Sequence, residues 1–357
     1  MAPPNHAADI TRCAEGLGFD AVGFARADVP LEEEHTHYRA FVDAGYHGEM
    51  GYLAEHRDVR RQLDGDGILA GARTVVCLAR RYAGAQADEP APGSTTSAIA
   101  RYARGRDYHN HLRKRLQKLA AFVRGREPGV EARAMVDTAP VLERAWAARA
   151  GLGFVGKNGL LIVPGQGSFL LLGEVVTTLT VPEAALGTPM AERCGRCRAC
   201  LDACPTDAFV RPFVLDARRC LSYATIERKT APPEDQWDAL GAEHLFGCDD
   251  CQTCCPYNAA PRAALPEGSP FRPHARWRDV SLSDLIEADE DRFSGLTEGS
   301  PLRRPGRRGL ARNALLMAAR RGDDAALEAA RGHSDPSLAD LACSLLKRQG
   351  AAEGEEA

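Results

Sequence analysis

Nine of the chain's twelve cysteines lie between Cys194 and Cys255, and this clustering constrains the fold more than any other feature. The first group is Cys194-Gly-Arg-Cys197-Arg-Ala-Cys200-Leu-Asp-Ala-Cys204-Pro205. Its C-x2-C-x2-C-x3-C-P spacing is typical of bacterial proteins that hold two iron–sulfur clusters. Such a cluster needs several thiolates from one tightly wrapped loop, and these short spacings allow that loop to form. The sequence therefore predicts a small domain organised by metal.

A second set of cysteines completes the ligands for two [4Fe-4S] clusters. Cys248-Asp-Asp-Cys251-Gln-Thr-Cys254-Cys255-Pro256 repeats the last three positions of the first run if Cys255 is a ligand, and Cys220 supplies the missing first position. In two-cluster ferredoxins the fourth cysteine of each run serves the other cluster. We therefore assign Cys194, Cys197, Cys200 and Cys255 to cluster 1, and Cys204, Cys220, Cys248 and Cys251 to cluster 2.

Two alternatives to this assignment follow from the same residues. Cys254 continues an unbroken x2 series after Cys248 and Cys251, so it competes with Cys255 for the fourth position; the proline after Cys255 favours Cys255. Cysteines in C-x2-C pairs also suit tetrahedral zinc, so a pair of structural zinc sites is the alternative metal. The x3 step before Cys-Pro in both runs favours iron–sulfur clusters.

The rest of the chain predicts an α+β protein with three parts. Residues 1–182 contain apolar runs at 19–25, 74–79 and 169–181, which are typical of buried strands, and an amphipathic helical pattern over 112–123. Residues 183–265 form the two-cluster ferredoxin-type domain. Residues 266–357 are helical, with Asp335-Pro336 beginning the last helix and a solvated tail after it.

Charge and hydropathy set limits on the type of protein. The formal net charge is -4, 44% of residues are hydrophobic and 26% are charged, which is a globular rather than a disordered composition. No uncharged apolar run of membrane-spanning length and no secretory leader is evident, so we expect no membrane association and a cytoplasmic location. In that compartment clustered cysteines indicate metal binding rather than disulfides.

Two other motifs have ordinary structural explanations. The segment from Gly151 to Asn158 matches a dinucleotide fingerprint and, less well, a phosphate loop. A helix is expected before it and a strand after it, the reverse of what nucleotide binding requires. Asp137 follows a strand-like stretch, so Asp137 or Thr138 is expected to cap a helix. A helix N-terminus favours an ionised carboxyl, so a proton-donor role for Asp137 requires burial or a neighbouring negative charge.

Five ordered segments between residues 48 and 313 together resemble the epoxyqueuosine reductase family. The segments are Arg101-Tyr102-Ala103-Arg104-Gly105-Arg106-Asp107-Tyr108-His109, Val136-Asp137-Thr138-Ala139-Pro140, Gly156-Lys157-Asn158, Asp216-Ala-Arg-Arg-Cys220-Leu-Ser222-Tyr223, and Gly247-Cys248-Asp-Asp-Cys251-Gln with Cys255-Pro256.

The resemblance implies the fold and the activity. The N-terminal domain would be an α/β cobalamin-binding domain similar to that of reductive dehalogenases, and the C-terminal part a small HEAT-like helical domain. The activity would be reduction of epoxyqueuosine to queuosine at the wobble position of tRNA with a GUN anticodon, the last step of queuosine formation. An external donor such as a flavodoxin or ferredoxin would supply electrons through the two clusters to cobalamin, and the protein would be a monomer.

The resemblance also implies roles for individual residues. Asp137 would be the proton donor to the departing epoxide oxygen, with His109 and Arg144 near the cobalt face, which reverses the preference for a capping role. The other cobalamin contacts would be Arg60, Lys157, Asn158 and Ser222.

A basic stretch provides a candidate tRNA surface on this acidic chain. Residues 301–322 contain seven arginines and no acidic residue. Phosphate binding would involve Arg303, Arg304, Arg307, Arg308 and Arg312, and Arg228 and Lys229 would touch the anticodon loop. The alternative is a solvated, arginine-rich helix.

Departures from the family pattern leave other functions open. Tyr257 replaces the usual tryptophan after Cys-Pro, and the chain is shorter than members with several C-terminal helical repeats. The alternative functions are a dehalogenase-like corrinoid reductase, a ferredoxin-like electron carrier, and a nucleotide-driven iron–sulfur protein that uses the 151–158 segment.

Overall fold

The computed structural model describes residues 6–260 and 262–355, and within these ranges the side chains of residues 242 and 351–355 are not described. The strands are β1 Ala21–Arg26, β2 Thr74–Arg81, β3 Ala132–Met135, β4 Phe154–Val155, β5 Leu161–Ile162, β6 Leu170–Thr177, β7 Phe209–Arg211 and β8 Val214–Leu215. The helices are α1 His6–Gly16, α2 Glu32–Asp43, α3 Tyr108–Arg124, α4 Glu143–Arg149, α5 Ala199–Asp202, α6 Leu221–Ile226, α7 Trp237–Glu243, α8 Asp250–Thr253, α9 Leu282–Ile286, α10 Glu290–Thr297, α11 Gly306–Arg321, α12 Asp324–Ala330 and α13 Pro336–Glu355.

The N-terminal part is built on a four-stranded antiparallel sheet in the order β1-β2-β6-β3. The three apolar runs found in the sequence are β1, β2 and β6, so the prediction of buried strands is confirmed. Helix α3 has its apolar side at Leu112, Leu116, Leu119 and Val123 fully buried, as its periodicity predicts. It packs with α1 on one face of the sheet, and α4 covers the other.

The loop between β3 and α4 is the part of this sheet that matters for function. Strand β3 ends at Met135 and α4 begins at Glu143, so residues 136–142 connect them. In the register of the sheet Glu174 of β6 lies opposite Met135 on one side and Cys77 of β2 on the other. The loop that contains Asp137 therefore starts directly beside a carboxyl group in the sheet interior.

The cysteine-rich region and the C-terminal helices are not separate cores. Helices α6 and α7 lie in the insert between Cys220 and Cys248, and α7 packs against α11. Their buried residues join one cluster with the C-terminal helices, including Leu221, Trp237, Leu240, Phe246, Leu310 and Leu315. This insert thus connects the predicted 183–265 region to the 266–357 region.

The final helix is longer than the sequence predicts. Asp335 accepts a hydrogen bond from the backbone of Ser337, consistent with the predicted helix start, and Leu338 and Leu345 are buried. The backbone remains helical to Glu355. The residues predicted as a solvated tail, 350–357, are therefore helical in their backbone as far as Glu355, and their solvation stays a prediction.

Candidate cluster and proton-transfer site

The cysteines assigned to cluster 2 have thiols that affect one another's pKa values. Burial raises the pKa of Cys251, and the nearby thiols of Cys220, Cys200 and Cys204 raise it further. The pKa of Cys248 is likewise raised, first by burial and then by neighbours that include Cys220 and Cys251. Such mutual effects require thiols that lie close together. Because Cys200 is assigned to cluster 1, the division of the ligands between the two clusters stays a prediction.

The thiols assigned to cluster 1 also lie close together. Burial and then the neighbouring thiols of Cys254, Cys194 and Cys255 raise the pKa of Cys200 to about 11. Cys197 contributes in the same way to the raised pKa of Cys255. The ligand set of cluster 1 stays a prediction. Closely spaced thiols are the donor chemistry that cubane clusters require, because the clusters bind thiolates and would overcome the raised pKa values.

Cys254 and Cys255 both lie near cluster 1. Cys255 is 9% exposed and packs against Phe154 and Ile162, and Cys194 adjoins the same apolar cluster. Cys254 is less buried, but it also raises the pKa of Cys200. The choice of Cys255 as the fourth ligand stays a prediction.

One polar group beside cluster 2 was missed by sequence reasoning. His244, Cys248 and Asp250 have ligand atoms within 4.8 Å of one another, and His244 Nε2 lies 3.1 Å from an Asp250 oxygen. Because Cys248 is an assigned ligand, this group belongs to the surroundings of cluster 2. The spacing His-x3-Cys-x-Asp was the only signal in the sequence.

Lys157 and Asn158 hold the cluster loops. The Lys157 amine donates to the Cys197 carbonyl at 2.9 Å and to the Gly195 carbonyl. Asn158 is 6% exposed and donates through Nδ2 to the Cys251 carbonyl at 3.1 Å. Both side chains are thus engaged with the loops of the cluster domain, and their predicted contacts with cobalamin remain a prediction.

Asp137 lies in a constrained part of the β3–α4 loop. Its φ of +37° is in the left-handed region, which non-glycine residues seldom occupy. Its backbone N–H donates to a carboxylate oxygen of Glu143 at 2.8 Å. About half of the Asp137 side chain is exposed, so the carboxyl group is accessible from solvent.

The Asp137 carboxyl is bound by two neighbouring side chains of α3. The Tyr108 hydroxyl donates to Oδ2 at 3.0 Å, and His109 Nε2 lies 2.7 Å from the same atom. The other ring nitrogen of His109 lies 2.7 Å from Asp107, which also caps α3 through the His109 backbone. Asp137, Tyr108 and His109 therefore form one hydrogen-bonded group.

Electrostatics keep the proton of this group on histidine. The hydrogen bond from His109, opposed by burial, holds the pKa of Asp137 below its usual range. Burial lowers the pKa of His109, but the bonds to Asp107 and Asp137 outweigh burial and raise it to about 9. At neutral pH the pair is thus an imidazolium beside a carboxylate.

Asp137 and Thr138 do not cap α4. The helix begins at Glu143, its capping position is Leu142, and no side chain caps it by a hydrogen bond. The capping prediction was wrong, because the chain makes a tight extra turn over residues 136–142 before the helix starts. The dipole argument against a proton-donor role for Asp137 consequently does not apply.

The glycine segment is a close-packed turn. It runs from α4 into β4 and the β4–β5 hairpin, as the sequence predicts, so the order excludes a dinucleotide fingerprint. Gly151 has a φ of +74°, and a side chain on Gly153 would come within 2.1 Å of the Ile162 carbonyl. Glycine is needed here for backbone conformation and packing.

Two carboxyl groups next to the Asp137 loop, the fully buried Glu174 and the partly buried Glu143, were also missed by the sequence analysis. Glu174 is fully buried on β6, and neither of its oxygens has a hydrogen-bond partner. Burial, then Glu143 and Asp137, raise its pKa well above the usual value. The pKa of Glu143 is raised to about 7, first by burial and then by Asp137. A glutamate within an apolar strand was the only sequence signal for Glu174.

The predicted basic residues separate into exposed and buried sets. Arg303 and Arg304 are exposed, and Arg304 forms a double hydrogen bond with Glu227 while its guanidinium lies 5.7 Å from the Tyr52 ring centre. Arg307 forms an ion pair with Glu290 at 3.6 Å, and Arg308 forms one with Asp335 at 3.5 Å.

Arg228 and Arg312 do not lie on the exposed basic face. Arg312 is 7% exposed and donates to the carbonyls of Ala224 and Arg228. Arg228 is 8% exposed and donates to Gln236 and the Arg218 carbonyl. Both guanidinium groups bond to internal acceptors, and Arg312 holds the Cys220–Cys248 insert against α11. This corrects their predicted placement on a phosphate-binding surface.

Arg60 and Arg144, two further predicted cobalamin contacts, each donate to a backbone carbonyl. Arg60 is 7% exposed, bonds to the Tyr52 carbonyl, and its Nε atom has no partner in the described structure. Arg144 is exposed and donates to the Gly159 carbonyl. An orphaned buried donor such as Arg60 Nε fits a polar group bound beside Tyr52.

Comparison with known proteins shows which family this chain resembles. Residues 193–258 match the family described as "4Fe-4S double cluster binding domain" and residues 63–138 the family described as "Epoxyqueuosine reductase QueG, DUF1730". A Gloeobacter violaceus protein named epoxyqueuosine reductase is 43% identical over 330 residues, which are 91% of this chain and 99% of the relative. The chain belongs to the epoxyqueuosine reductase family. An Escherichia coli epoxyqueuosine reductase is 38% identical over 81% of this chain and 74% of its own length.

Solved structures of epoxyqueuosine reductases are similar to this chain over most of its length. One determined with an epoxyqueuosine-modified tRNA-Tyr stem loop has a TM-score of 0.83 and 29% identity, covering 94% of this chain and 88% of that chain. One from Bacillus subtilis, with its catalytic loop swung out of the active site, has a TM-score of 0.84 and 27% identity, covering 95% and 88%. A catabolic reductive dehalogenase reaches a TM-score of only 0.43, so the likeness of the N-terminal domain to those enzymes stays a prediction.

Across residues 6–260 and 262–355, no helix has the length and apolar character that crossing a bilayer requires.

Proposed function

We propose that this member of the epoxyqueuosine reductase family reduces epoxyqueuosine to queuosine at the wobble position of tRNA. The observation that carries the proposal is that one chain contains both the closely spaced cysteine thiols and the hydrogen-bonded Asp137–His109–Tyr108 group. The thiols bind the clusters that deliver electrons, and the polar group delivers a proton. Opening an epoxide to an alkene requires both, because oxygen leaves far more easily when it is protonated.

Electrons enter at cluster 1 and leave from cluster 2 in this proposal. Cys197, a cluster 1 ligand, is exposed, which suits contact with an external carrier such as a flavodoxin or ferredoxin. Cys220 and Cys251, assigned to cluster 2, are less exposed than Cys197. The turn that follows α4 contacts the loops of both clusters, through Asn158 at Cys251 and through Lys157 at Cys197.

Cobalamin is the cofactor that the family resemblance implies. When bound, it supplies low-potential reducing power to the substrate carbon. Arg60, His109, Arg144 and Ser222 would hold it, with Lys157 and Asn158 fixing the neighbouring cluster loops. The unpartnered Nε of Arg60 and the open surface around Tyr52 and Asp137 support this assignment.

Asp137 transfers the proton to the departing oxygen. Tyr108 and His109 fix its carboxyl through Oδ2, which leaves Oδ1 without a hydrogen bond among the described residues and directed to the open side. The imidazolium of His109 supplies the proton, since it is the protonated partner at neutral pH. Asp137 and His109 thus act as one acid.

The tRNA binds across Tyr52 and the start of α11. Tyr52 is 46% exposed and lies beside Arg304, so it offers an aromatic face to an unstacked base. Arg303, Arg304, Arg307 and Arg308 would contact phosphates, and the Lys229 amine, bonded to the Arg304 carbonyl, extends this surface. A GUN anticodon, a cytoplasmic location and a monomeric state complete the proposal.

The decisive experiment is anaerobic reconstitution with iron, sulfide and cobalamin. The loaded protein is given an epoxyqueuosine-containing anticodon stem-loop and a strong reductant, and the nucleoside mass is measured. Loss of one oxygen that depends on cobalamin supports the proposal. No loss despite full clusters and bound cobalamin would redirect it to a dehalogenase-like substrate, and no cobalamin binding would favour an electron carrier.

A further inference from the structure

The β3–α4 loop has few backbone contacts with the rest of the chain. The backbone N–H groups of Thr138 and Val141 donate to carbonyls within the loop itself. Among the described residues, one group from outside residues 136–141 bonds to their backbone. That group is the Glu143 carboxylate, which accepts the Asp137 N–H at 2.8 Å. The loop backbone is therefore held at Asp137 by a single side chain.

Asp137 needs such a contact more than an ordinary loop residue does. Its φ of +37° lies in the left-handed region, which a non-glycine residue keeps only where the surrounding contacts enforce it. About half of the side chain is exposed, so packing alone does not fix the residue. Tyr108 and His109 bind the carboxyl group but not the backbone. The bond to Glu143 is the contact that restrains the main chain.

The Glu143 carboxylate has no other partner that explains its position. Glu143 is the first residue of α4, where an acidic side chain commonly stays in solvent and interacts with the helix dipole. It is instead partly buried and turns back to the loop. The guanidinium of the adjacent Arg144 donates to the Gly159 carbonyl and not to Glu143. Across residues 6–260 and 262–355, the Asp137 N–H is the only group that bonds to this carboxylate.

Two helices consequently hold Asp137 from different directions. Helix α3 binds its carboxyl group through Tyr108 and His109, and α4 binds its main chain through Glu143. A residue that is held at both its main chain and its side chain keeps one orientation. A proton donor needs this, because a displacement of about 1 Å can lower the rate of a reaction by about 100-fold.

We propose that Glu143 is a positioning residue that keeps the Asp137 carboxyl group on His109 and Tyr108 and directed at the departing oxygen. This inference rests on the proposed reduction and adds one residue to it. Glu143 acts through the backbone of Asp137 and neither touches the substrate nor carries the transferred proton. The role requires only a hydrogen-bond acceptor, so a neutral amide oxygen at the same place should serve as well as a carboxylate.

The test compares Glu143→Ala with Glu143→Gln in the cluster- and cobalamin-loaded protein. Both substitutions remove the charge, but glutamine keeps an oxygen that can accept the Asp137 N–H. In single-turnover reduction of the stem-loop, Glu143→Ala should be slower by at least about tenfold with an unchanged affinity for the stem-loop, and Glu143→Gln should keep most of the rate. Glu33→Ala is the control, since Glu33 is an exposed acid in the first turn of α2 and its loss should leave the rate unchanged.

The titration of His109 provides a readout that does not depend on activity. Burial lowers the pKa of its ring, but the hydrogen bonds to Asp107 and Asp137 raise it overall to about 9. Glu143→Ala should lower this pKa, because a released Asp137 no longer stays on the ring. Glu143→Gln should remain close to the wild type, although it has lost the same charge. NMR of 13C-labelled histidine with both clusters oxidised measures the pKa in each variant.

The outcomes separate the positioning role from the reaction. A Glu143→Ala variant with the rate and the His109 pKa of the wild type overturns the positioning role. Equal losses in Glu143→Ala and Glu143→Gln overturn it too, since the charge and not the hydrogen bond is then responsible. A wild type that leaves the epoxide unreduced overturns the proposed function, and the pKa of His109 then still tests whether Glu143 holds Asp137.

A second variant covers the case in which Glu143→Ala takes up too little iron or cobalamin to be compared. Glu143→Asp keeps the charge, but its side chain is one methylene shorter and withdraws the oxygen from the Asp137 N–H. It should therefore lose rate and lower the His109 pKa, as alanine does. Wild-type behaviour of Glu143→Asp would overturn the positioning role.

Discussion

His109 Nε2 lies 2.7 Å from Asp137 Oδ2, and this short contact joins helix α3 to the β3–α4 loop. It explains why an aspartate that is half exposed keeps a left-handed backbone, because Tyr108 and Glu143 also bind it from two other directions. It also determines where the proton resides. The acid that faces the substrate is the Asp137–His109 pair, and at neutral pH its proton is on the His109 ring.

The first prediction concerns Asp137→Asn. Asparagine fits the left-handed backbone and keeps the shape of the side chain, but it cannot carry the proton. We expect full iron content, normal cobalamin binding and a loss of single-turnover rate of at least about 100-fold. Mass analysis of the nucleoside measures the rate. Asp207→Asn is the control, since Asp207 is exposed and has a φ of +45° elsewhere in the chain. Full activity in Asp137→Asn would remove Asp137 from the reaction.

The second prediction is the titration of His109. Its two carboxylate partners favour the charged ring, so its pKa should be about 9 and above that of an ordinary histidine. Activity that needs this proton should therefore be constant near neutrality and fall as pH rises through about 9. NMR of 13C-labelled histidine, assigned with His109→Gln, measures the value directly. Asp137→Asn should lower it, because one of the stabilising carboxylates is gone; a value near 6.5 in the wild type would contradict the assignment.

Sequence patterns predicted those parts of the fold that depend on local spacing. The thiol groups follow from C-x2-C-x2-C-x3-C-P, because a cluster ligand loop is encoded within a dozen residues. Strands β1, β2 and β6 follow from apolar runs, and α3 follows from its four buried leucine and valine positions. Each of these signals lies in one continuous segment.

The proton-transfer site was predicted only in part, because it depends on contacts between distant segments. His109 and Asp137 are 28 residues apart, and only the fold brings them together. In the sequence, Glu174 is only a polar residue within an apolar strand. The register of the sheet is what places it opposite Met135. The sequence places Arg312 in a basic stretch, but its side chain is buried because α11 packs against the Cys220–Cys248 insert. Arginine counts alone do not distinguish exposed from buried guanidinium groups.

The third prediction distinguishes the two adjacent cysteines. Cys255 is the more buried of the two and adjoins Cys194, so Cys255→Ser should reduce the iron content from about eight to about four per chain. Cys254→Ser should retain about eight. Iron and sulfide analysis with electron paramagnetic resonance of the reduced protein measures both. Iron loss in Cys254→Ser alone would transfer the ligand assignment to Cys254.

The fourth prediction tests the basic surface. Arg303→Gln with Arg304→Gln should weaken stem-loop binding and make the slope of log K against log salt shallower by about one to two, because two phosphate contacts are lost. Arg320→Gln with Arg321→Gln is the matched control, since these exposed residues end α11, whereas Arg303 and Arg304 precede its first turn. Binding is measured by fluorescence anisotropy at several salt concentrations. An equal effect of both double variants would indicate general attraction and not a defined site.

The last prediction concerns Tyr52, which is 46% exposed beside Arg304, and whose pKa is raised first by burial and to a smaller extent by Asp137. If a base stacks on its ring, Tyr52→Ala should weaken stem-loop binding by about 1–3 kcal/mol, while Tyr52→Phe should keep most of the affinity because the aromatic face remains. Phe213→Ala removes an aromatic side chain of similar exposure, 47%, on the β7–β8 hairpin and should leave the affinity unchanged. Titration of the stem-loop into each variant gives the dissociation constants. If Tyr52→Phe weakens binding as much as Tyr52→Ala, the hydroxyl and not the ring face is what the RNA contacts.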